Sequence, residues 1–280
     1  MKAAEIFGVD ALRFIEPEFM AQTDMIFNTM LAAEGGTEGR FLLDESQEPL
    51  ALAFRQGSGW LAGSFLYRNP SVGLIEKFED MNGQIFEESR AEWSAAVREY
   101  FSSALAAATP PAIEDLNPVR REILADVITR TWGKGKGRAC IDCCCGSGVG
   151  SLVLRDLGFA PLSFDNDASL LSRGLAAGRL LPAETMQLDA TTASRYIEPL
   201  PLGIGIMMGE INDFSREMWE QIVGELFLIT EETLITVGTE KEARLIGEWG
   251  REMERTVEIA ENPADPIYDR WVCTAKRMQG

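Results

Sequence analysis

The sequence predicts an α/β protein: a mainly helical N-terminal region followed by a mostly parallel seven-stranded sheet that ends in an antiparallel pair. Three observations predict it. From residue 117 onward, short apolar runs alternate with stretches of helical periodicity, and such alternation means right-handed crossovers and a parallel sheet covered on both faces. The last two β-rich runs, 255–261 and 269–277, follow each other without a helix between them, which reads as an antiparallel closing pair. Between residues 72 and 105 the apolar residues fall at helical spacing.

Taken in order, Leu74, Ile75, Phe78 and Met81 mark one helix, and Trp93, Val97, Tyr100, Phe101 and Leu105 mark another. Asn82-Gly83 reads as the turn between them. Residues 40–67 are less regular and read as a short hairpin or a further helix. The paired prolines in "AAATPPAIEDLNP" (106–118) break the helical pattern, giving an N-terminal domain over 1–112 and a second domain over 113–280. Asn117-Pro118 predicts a helix start, with Asn117 as N-cap and proline at the first helical position. Strands follow at 138–143, 161–165, 185–189, 202–208 and 233–238, separated by helices at 150–158 and 168–178, a helix carrying Trp219, Ile222, Val223 and Leu226, and then one over 243–253.

Composition narrows the chemistry. The chain has 280 residues, is 46% hydrophobic and carries a formal net charge of −18. Such a surface repels phosphate backbones, so no nucleic-acid partner is expected; the run at 133–138, with Lys134, Lys136 and Arg138, reads as a solvated loop. No apolar run approaches the roughly 18 residues of a membrane span, and the acidic N-terminal stretch does not resemble a targeting segment. Four of the five cysteines lie within 140–145, too close for easy disulfide geometry, which points to a reducing cytoplasm. The chain has no histidine, which removes Ser-His-Asp and Cys-His catalysis and every histidine-ligated metal. Any general base is then a carboxylate, Tyr, Lys, Cys or water.

The leading site candidate is "IDCCCGSGVGS" (141–151), at the carboxyl end of the first strand of the parallel sheet. Open sheets of this kind bind ligands there, at the topological switch point. Gly146, Gly148 and Gly150 allow a tight turn and close approach to the backbone, and the next helix turns its free N–H groups toward the same crevice. Asp142 closes the first strand, Asp165 the second and Asp189 the third. Asp165 follows the turn at the distance where such folds set a carboxylate on ribose hydroxyls.

These residues resemble the class I S-adenosylmethionine-dependent methyltransferases, whose first motif runs acidic-x-Gly-x-Gly-x-Gly. "DCCCGSG" follows it as Asp142-x-Cys144-x-Gly146-x-Gly148, departing at Cys144, where the family has glycine. Asp165 in "SFDND" and Asp189-Ala190 in "LDATT" match the acidic ends of the second and third strands. The likeness spans roughly residues 117–278. It implies a Rossmann-like domain with S-adenosylmethionine as cofactor. Asp142, Cys143, Cys144, Gly146 and Gly148 would cradle the methionine portion and ribose, with Asp142 acting near the ammonium or through water. Asp165 and the adjacent Asn166 would serve the ribose hydroxyls, and Asp189 with Ala190 the adenine. It implies a methyl acceptor, which the acidity of the chain leaves as a small molecule or a protein side chain, with the N-terminal domain as a cap that supplies its pocket; a homodimer is compatible with the sequence.

Methyl transfer needs a base only where the acceptor is protonated, and Glu210 and Asp213 in "MMGEINDF" are the candidates, although Asn212 or Asp213 serves equally as a helix cap. The segment lacks the Asn/Asp-Pro-Pro-Tyr pattern used on exocyclic amines. Other readings stay open. Cys140-x-x-Cys143 has the spacing of half a zinc site without a second pair, so no metal is expected. Gly146-x-Gly148-x-x-Ser151 comes near the dinucleotide fingerprint of an NAD(P)-dependent oxidoreductase. A non-catalytic S-adenosylmethionine-binding scaffold is also compatible.

Overall fold

The computed structural model describes residues 1–114 and 117–278, and the chain forms two units, Met1–Ala104 and Leu105–Gly280. Positions 115 and 116, within the predicted boundary segment, lie outside the described residues.

The first unit runs α1 (Lys2–Ile6), β1 (Leu12–Phe14), a 3-10 turn, α2 (Ile26–Glu34), β2 (Gly39–Leu43), β3 (Pro49–Gln56), β4 (Gly59–Ser64), α3 (Val72–Asp80), β5 (Gln84–Glu87) and α4 (Arg90–Ala108), whose last turn lies in the second unit. The expectation of a mainly helical region needs correction. More residues lie in helices than in strands, but the core is built on a five-stranded mixed sheet in the order β1-β4-β3-β2-β5. The 40–67 stretch holds three of these strands. Its centre, Leu50 to Phe54, is buried at every position, so β3 shows no apolar/polar alternation. A strand covered on both faces cannot be told from a helix by periodicity. The turn at Asn82-Gly83 leads not into a helix but into β5, parallel to β2. Leu31, Phe41, Leu52, Phe54, Leu61, Leu74 and Phe78 form this unit's apolar core.

The second unit continues with α5 (Arg120–Trp132), β6 (Ala139–Cys143), α6 (Val149–Asp156), β7 (Ala160–Asp165), α7 (Ala168–Ala176), β8 (Thr185–Gln187), β9 (Leu200–Gly205), α8 (Arg216–Leu228), β10 (Thr230–Val237), α9 (Glu240–Glu252), β11 (Arg255–Glu261) and β12 (Trp271–Arg277). The sheet order is β11-β12-β10-β9-β6-β7-β8. β8, β7, β6, β9 and β10 are mutually parallel, and β12 runs antiparallel to both β10 and β11. This is the seven-stranded, Rossmann-like sheet that the alternation predicts. Helix α5 starts slightly later than the Asn117-Pro118 pair suggests: Asn117 Oδ1 accepts the Val119 N–H at 3.1 Å, forming a turn just ahead of the helix.

Leu124, Val127 and Ile128 of α5, with Val153 and Leu154 of α6, pack on Cys140, Leu202, Ile204 and Leu234 of the sheet. Each such fully buried aliphatic side chain contributes about 1.5–3 kcal/mol. Because β6 is flanked by β7 and β9, strand order reverses beside it, and the crevice outside the carboxyl ends of β6 and β9 is the switch point.

Candidate functional site

The loop after β6 is a run of left-handed residues. Cys144, Gly146 and Gly148 have φ of 53°, 52° and 80°. Two of the three are glycine, as a positive φ favours; Cys144 takes the same conformation with a side chain. At Gly146 a Cβ would meet nothing within 4 Å, so the backbone is bare toward open space. At Gly148 a Cβ would lie 2.5 Å from Leu180 Cγ, and there the glycine is a packing requirement. Gly148 is the N-cap of α6.

Backbone bonds stitch the strand ends together. Cys145 N–H donates to the Phe164 carbonyl at 3.0 Å, and Leu188 N–H donates to the Asp165 carbonyl at 3.0 Å. The Asp165 carboxylate accepts from Gly146 N–H at 2.8 Å and from Asp167 N–H at 2.9 Å. Asp165 and the glycine turn are therefore physically joined. Burial raises its carboxyl above the usual range, against the pull of those N–H donors.

Asp142 lies beneath the loop, 1% exposed. Its Oδ2 accepts from Ser151 Oγ of α6 at 2.5 Å, and Ser151 Oγ lies 2.6 Å from Ser163 Oγ of β7. A Cβ at Gly150 would sit 2.8 Å from the same Oδ2, so α6 approaches this close only because residue 150 is glycine. Burial pushes the Asp142 carboxyl up to about 7, with the Ser151 bonds opposing and Asp165 adding repulsion. Asp142 thus braces the α6 start from below.

Asp189 is the N-cap of a 3-10 turn over Ala190–Arg195, its Oδ1 accepting from Thr191 N–H at 2.9 Å and Thr191 Oγ1 at 2.8 Å. Ala190 is buried beside it, and Asn166 is exposed. Cys143 is buried and Cys144 half-buried, their sulfurs 3.9 Å apart. The Cys144 contact and burial hold the Cys143 thiol well above its ordinary value, and burial does the same for Cys145. Neither is poised as a thiolate. All five cysteines are free, and the described residues contain no group of three or more His, Cys, Asp or Glu side chains able to hold a metal.

Glu210 and Asp213 lie exposed on the turn after β9. Between them, Asn212 Oδ1 accepts from Phe214 N–H and Ser215 N–H at 2.9 and 3.2 Å; this closes a turn just ahead of α8, whose N-cap is Ser215, so neither Asn212 nor Asp213 caps the helix. Sequence reasoning missed what holds this turn. Glu242 at the start of α9 accepts from Ile211 N–H at 2.9 Å through one oxygen and from Thr239 N–H and Thr239 Oγ1 through the other. The Thr239-x-x-Glu242 spacing was its signal, a capping box. Also missed was Glu114, whose carboxylate accepts from Ser147 Oγ and, at 2.5 Å, from Arg179. The segment before it is tied to α7 by Ala112 N–H to the Ser169 carbonyl and Ser172 Oγ to the Thr109 carbonyl. No local pattern links Glu114 to a loop 33 residues on.

Fold and loop together define the class: a Rossmann-like α/β domain with a glycine turn at the topological switch point and an antiparallel strand inserted next to the sheet edge. No family model and no curated protein matches the sequence. Among solved structures, the chain is similar to magnesium protoporphyrin IX methyltransferase from Synechocystis PCC 6803 with bound SAM, at 13% identity over 66% of this chain and 97% of that one, TM-score 0.46. It is similar to precorrin-6y C5,15-methyltransferase from Geobacter metallireducens GS-15, at 10% identity over 61% of this chain and 95% of that one, TM-score 0.44. It is also similar to an rRNA methylase from Streptococcus thermophilus, at 16% identity over 60% of this chain and 100% of that one, TM-score 0.42.

Proposed function

We propose that the protein is an S-adenosylmethionine-dependent methyltransferase acting on a small molecule or a protein side chain in a reducing, cytoplasmic setting. The observation that carries this reading is the join between the glycine turn and Asp165: a bare backbone at Gly146, bonded to a carboxylate at the end of the neighbouring strand. The donor and acceptor set fits the cofactor. Open space over Gly146 admits a bulky uncharged group close to the main chain. Asp165 keeps lone pairs for hydroxyl donors beyond its two N–H bonds. Asp189 and Ala190, just past the end of the next strand, would meet the purine.

When bound, the cofactor supplies a methyl group on a sulfonium. What the chain must do is align the acceptor and exclude water, and alignment is worth up to roughly 7–11 kcal/mol. Glu210 and Asp213, exposed beside the switch point, are the groups available to take a proton. The −18 charge supports a non-nucleic-acid acceptor. The antiparallel β12 supports a methyltransferase over a nicotinamide-dependent oxidoreductase, since the resemblance to the former extends to its last two strands.

Calorimetric titration with S-adenosylmethionine, S-adenosylhomocysteine and NADH tests the reading. Binding of the two sulfur nucleotides but not NADH is expected, with Asp165→Ala weakening them at least tenfold. A folded protein that binds neither sulfur nucleotide refutes it.

A further inference from the structure

The turn after β9 displays apolar side chains that the fold does not use. Phe214 is 102% exposed, and Met218, four residues on, and Met207 are also exposed. The position of Phe214 makes this informative. Ser215 is the N-cap of α8, so Phe214 occupies the preceding position, from which an apolar residue ordinarily packs on the fourth residue of the helix. That residue is Trp219, itself only half-buried. Phe214 thus forgoes a packing partner within reach.

Nor is it loose. Asn212 accepts the Phe214 and Ser215 N–H groups. Ser215 Oγ donates to the Glu210 carbonyl at 2.7 Å and accepts from Asn212 N–H at 3.0 Å, and buried Glu242 holds Ile211. A braced turn presents an aromatic ring outward at the carboxyl end of β9, beside the switch-point crevice. Its charge is one-sided: Glu210, Asp213, Glu217 and Glu220 are exposed around the apolar residues, with Arg216 the lone base in 207–220.

We infer that the 207–220 turn is the docking surface for the methyl acceptor, and that the acceptor is a basic, amphipathic segment of another protein. Apolar contact with Phe214, Met207 and Met218 supplies affinity: methionine adapts to varied apolar partners, and a pre-ordered turn loses little entropy on binding. The four carboxylates attract lysine and arginine and repel acidic surfaces. This inference rests on the proposed methyltransferase activity for the word acceptor, but docking is measured independently of cofactor binding.

The probe is a fluorescein-labelled 12-residue peptide of alternating Lys and Leu, compared with a Lys/Ser peptide of equal charge, by fluorescence anisotropy on the full chain at physiological salt. The Lys/Leu peptide is expected to bind at least tenfold tighter than the Lys/Ser peptide. Phe214→Ser with Met218→Ser should weaken it at least tenfold, and Asp213→Asn with Glu217→Gln at least fivefold. Glu240→Gln with Glu248→Gln, on α9, should leave it within twofold. Calorimetry with S-adenosylhomocysteine should give the same affinity for wild type and the Phe214/Met218 variant; loss of cofactor binding by wild type sinks the methyltransferase reading alone. Equal binding of both peptides, or equal loss in the α9 control, overturns the docking surface. So does a dimer, seen in sedimentation velocity, that the Phe214/Met218 variant dissolves, since the patch would then cover a second copy of the chain.

Discussion

Replacing Asp142 by asparagine separates the structural load on this carboxyl from its charge. The side chain is almost completely buried and accepts from Ser151, and burial raises it from the ordinary 3.8 to about 7. The folded protein therefore holds this proton more tightly than the unfolded chain does. Stability contributed by the protonated form is complete below about pH 4 and lost as pH rises toward 7, because ionisation then favours the unfolded state. The rise from 3.8 to about 7, at about 1.36 kcal/mol per pH unit, amounts to roughly 4 kcal/mol over the full window. Between pH 5 and pH 8 the portion that falls is about 2–3 kcal/mol. The Asp142→Asn variant has nothing to ionise at this position and keeps an oxygen for Ser151. Urea unfolding of both proteins at pH 5, 6, 7 and 8 reads the difference directly, since most other groups titrate alike in each. The variant should gain about 2–3 kcal/mol on wild type from pH 5 to pH 8. A difference that stays flat within about 0.5 kcal/mol refutes the reasoning and means that Asp142 is ionised throughout and satisfied by Ser151.

Two further outcomes test the loop. Cys144→Gly should leave stability within about 1 kcal/mol of wild type, because relief of a left-handed side chain offsets the extra chain entropy of glycine; Cys144→Val, branched at Cβ, should cost about 2 kcal/mol, and equal urea midpoints for the two would refute the conformational role of position 144. Gly150→Ala places a Cβ against the Asp142 carboxylate and Ile204, so it should lose about 1–3 kcal/mol in the same assay despite alanine's better helix propensity; a gain would show that α6 shifts freely.

The second unit was legible because its strands are short, apolar and separated by stripes of helical period, and because Gly or Asp stands at or just past the end of each parallel strand. Asp165 and the glycine turn were readable as a pair for the same reason. The first unit was not, since β3 is buried on both faces and β5 is only four residues long. Within the site, what escaped were contacts between distant residues: Ser151 and Ser163 under Asp142, Glu114 on Ser147. Asp142 reads as a carboxylate acting near an ammonium or through water; its burial under α6 was not legible, because a sequence shows where a strand ends, not whether the next helix closes over it. Glu242 was recoverable from its capping spacing, but not its hold on Ile211.

The inserted strand β12 also sets how the sheet comes apart. Among the described residues β11 pairs with β12 alone, while β10 keeps β9 on its far side. Any opening of β12 therefore releases β11 as well and leaves the parallel block from β8 to β10 intact. The hairpin is thus set apart from the switch-point crevice, which belongs to the parallel block, while α9 bridges the two, packing on the hairpin and holding Ile211 through Glu242. In hydrogen exchange the amides of β11 and β12 should open together, at lower free energy than those of β6 and β9.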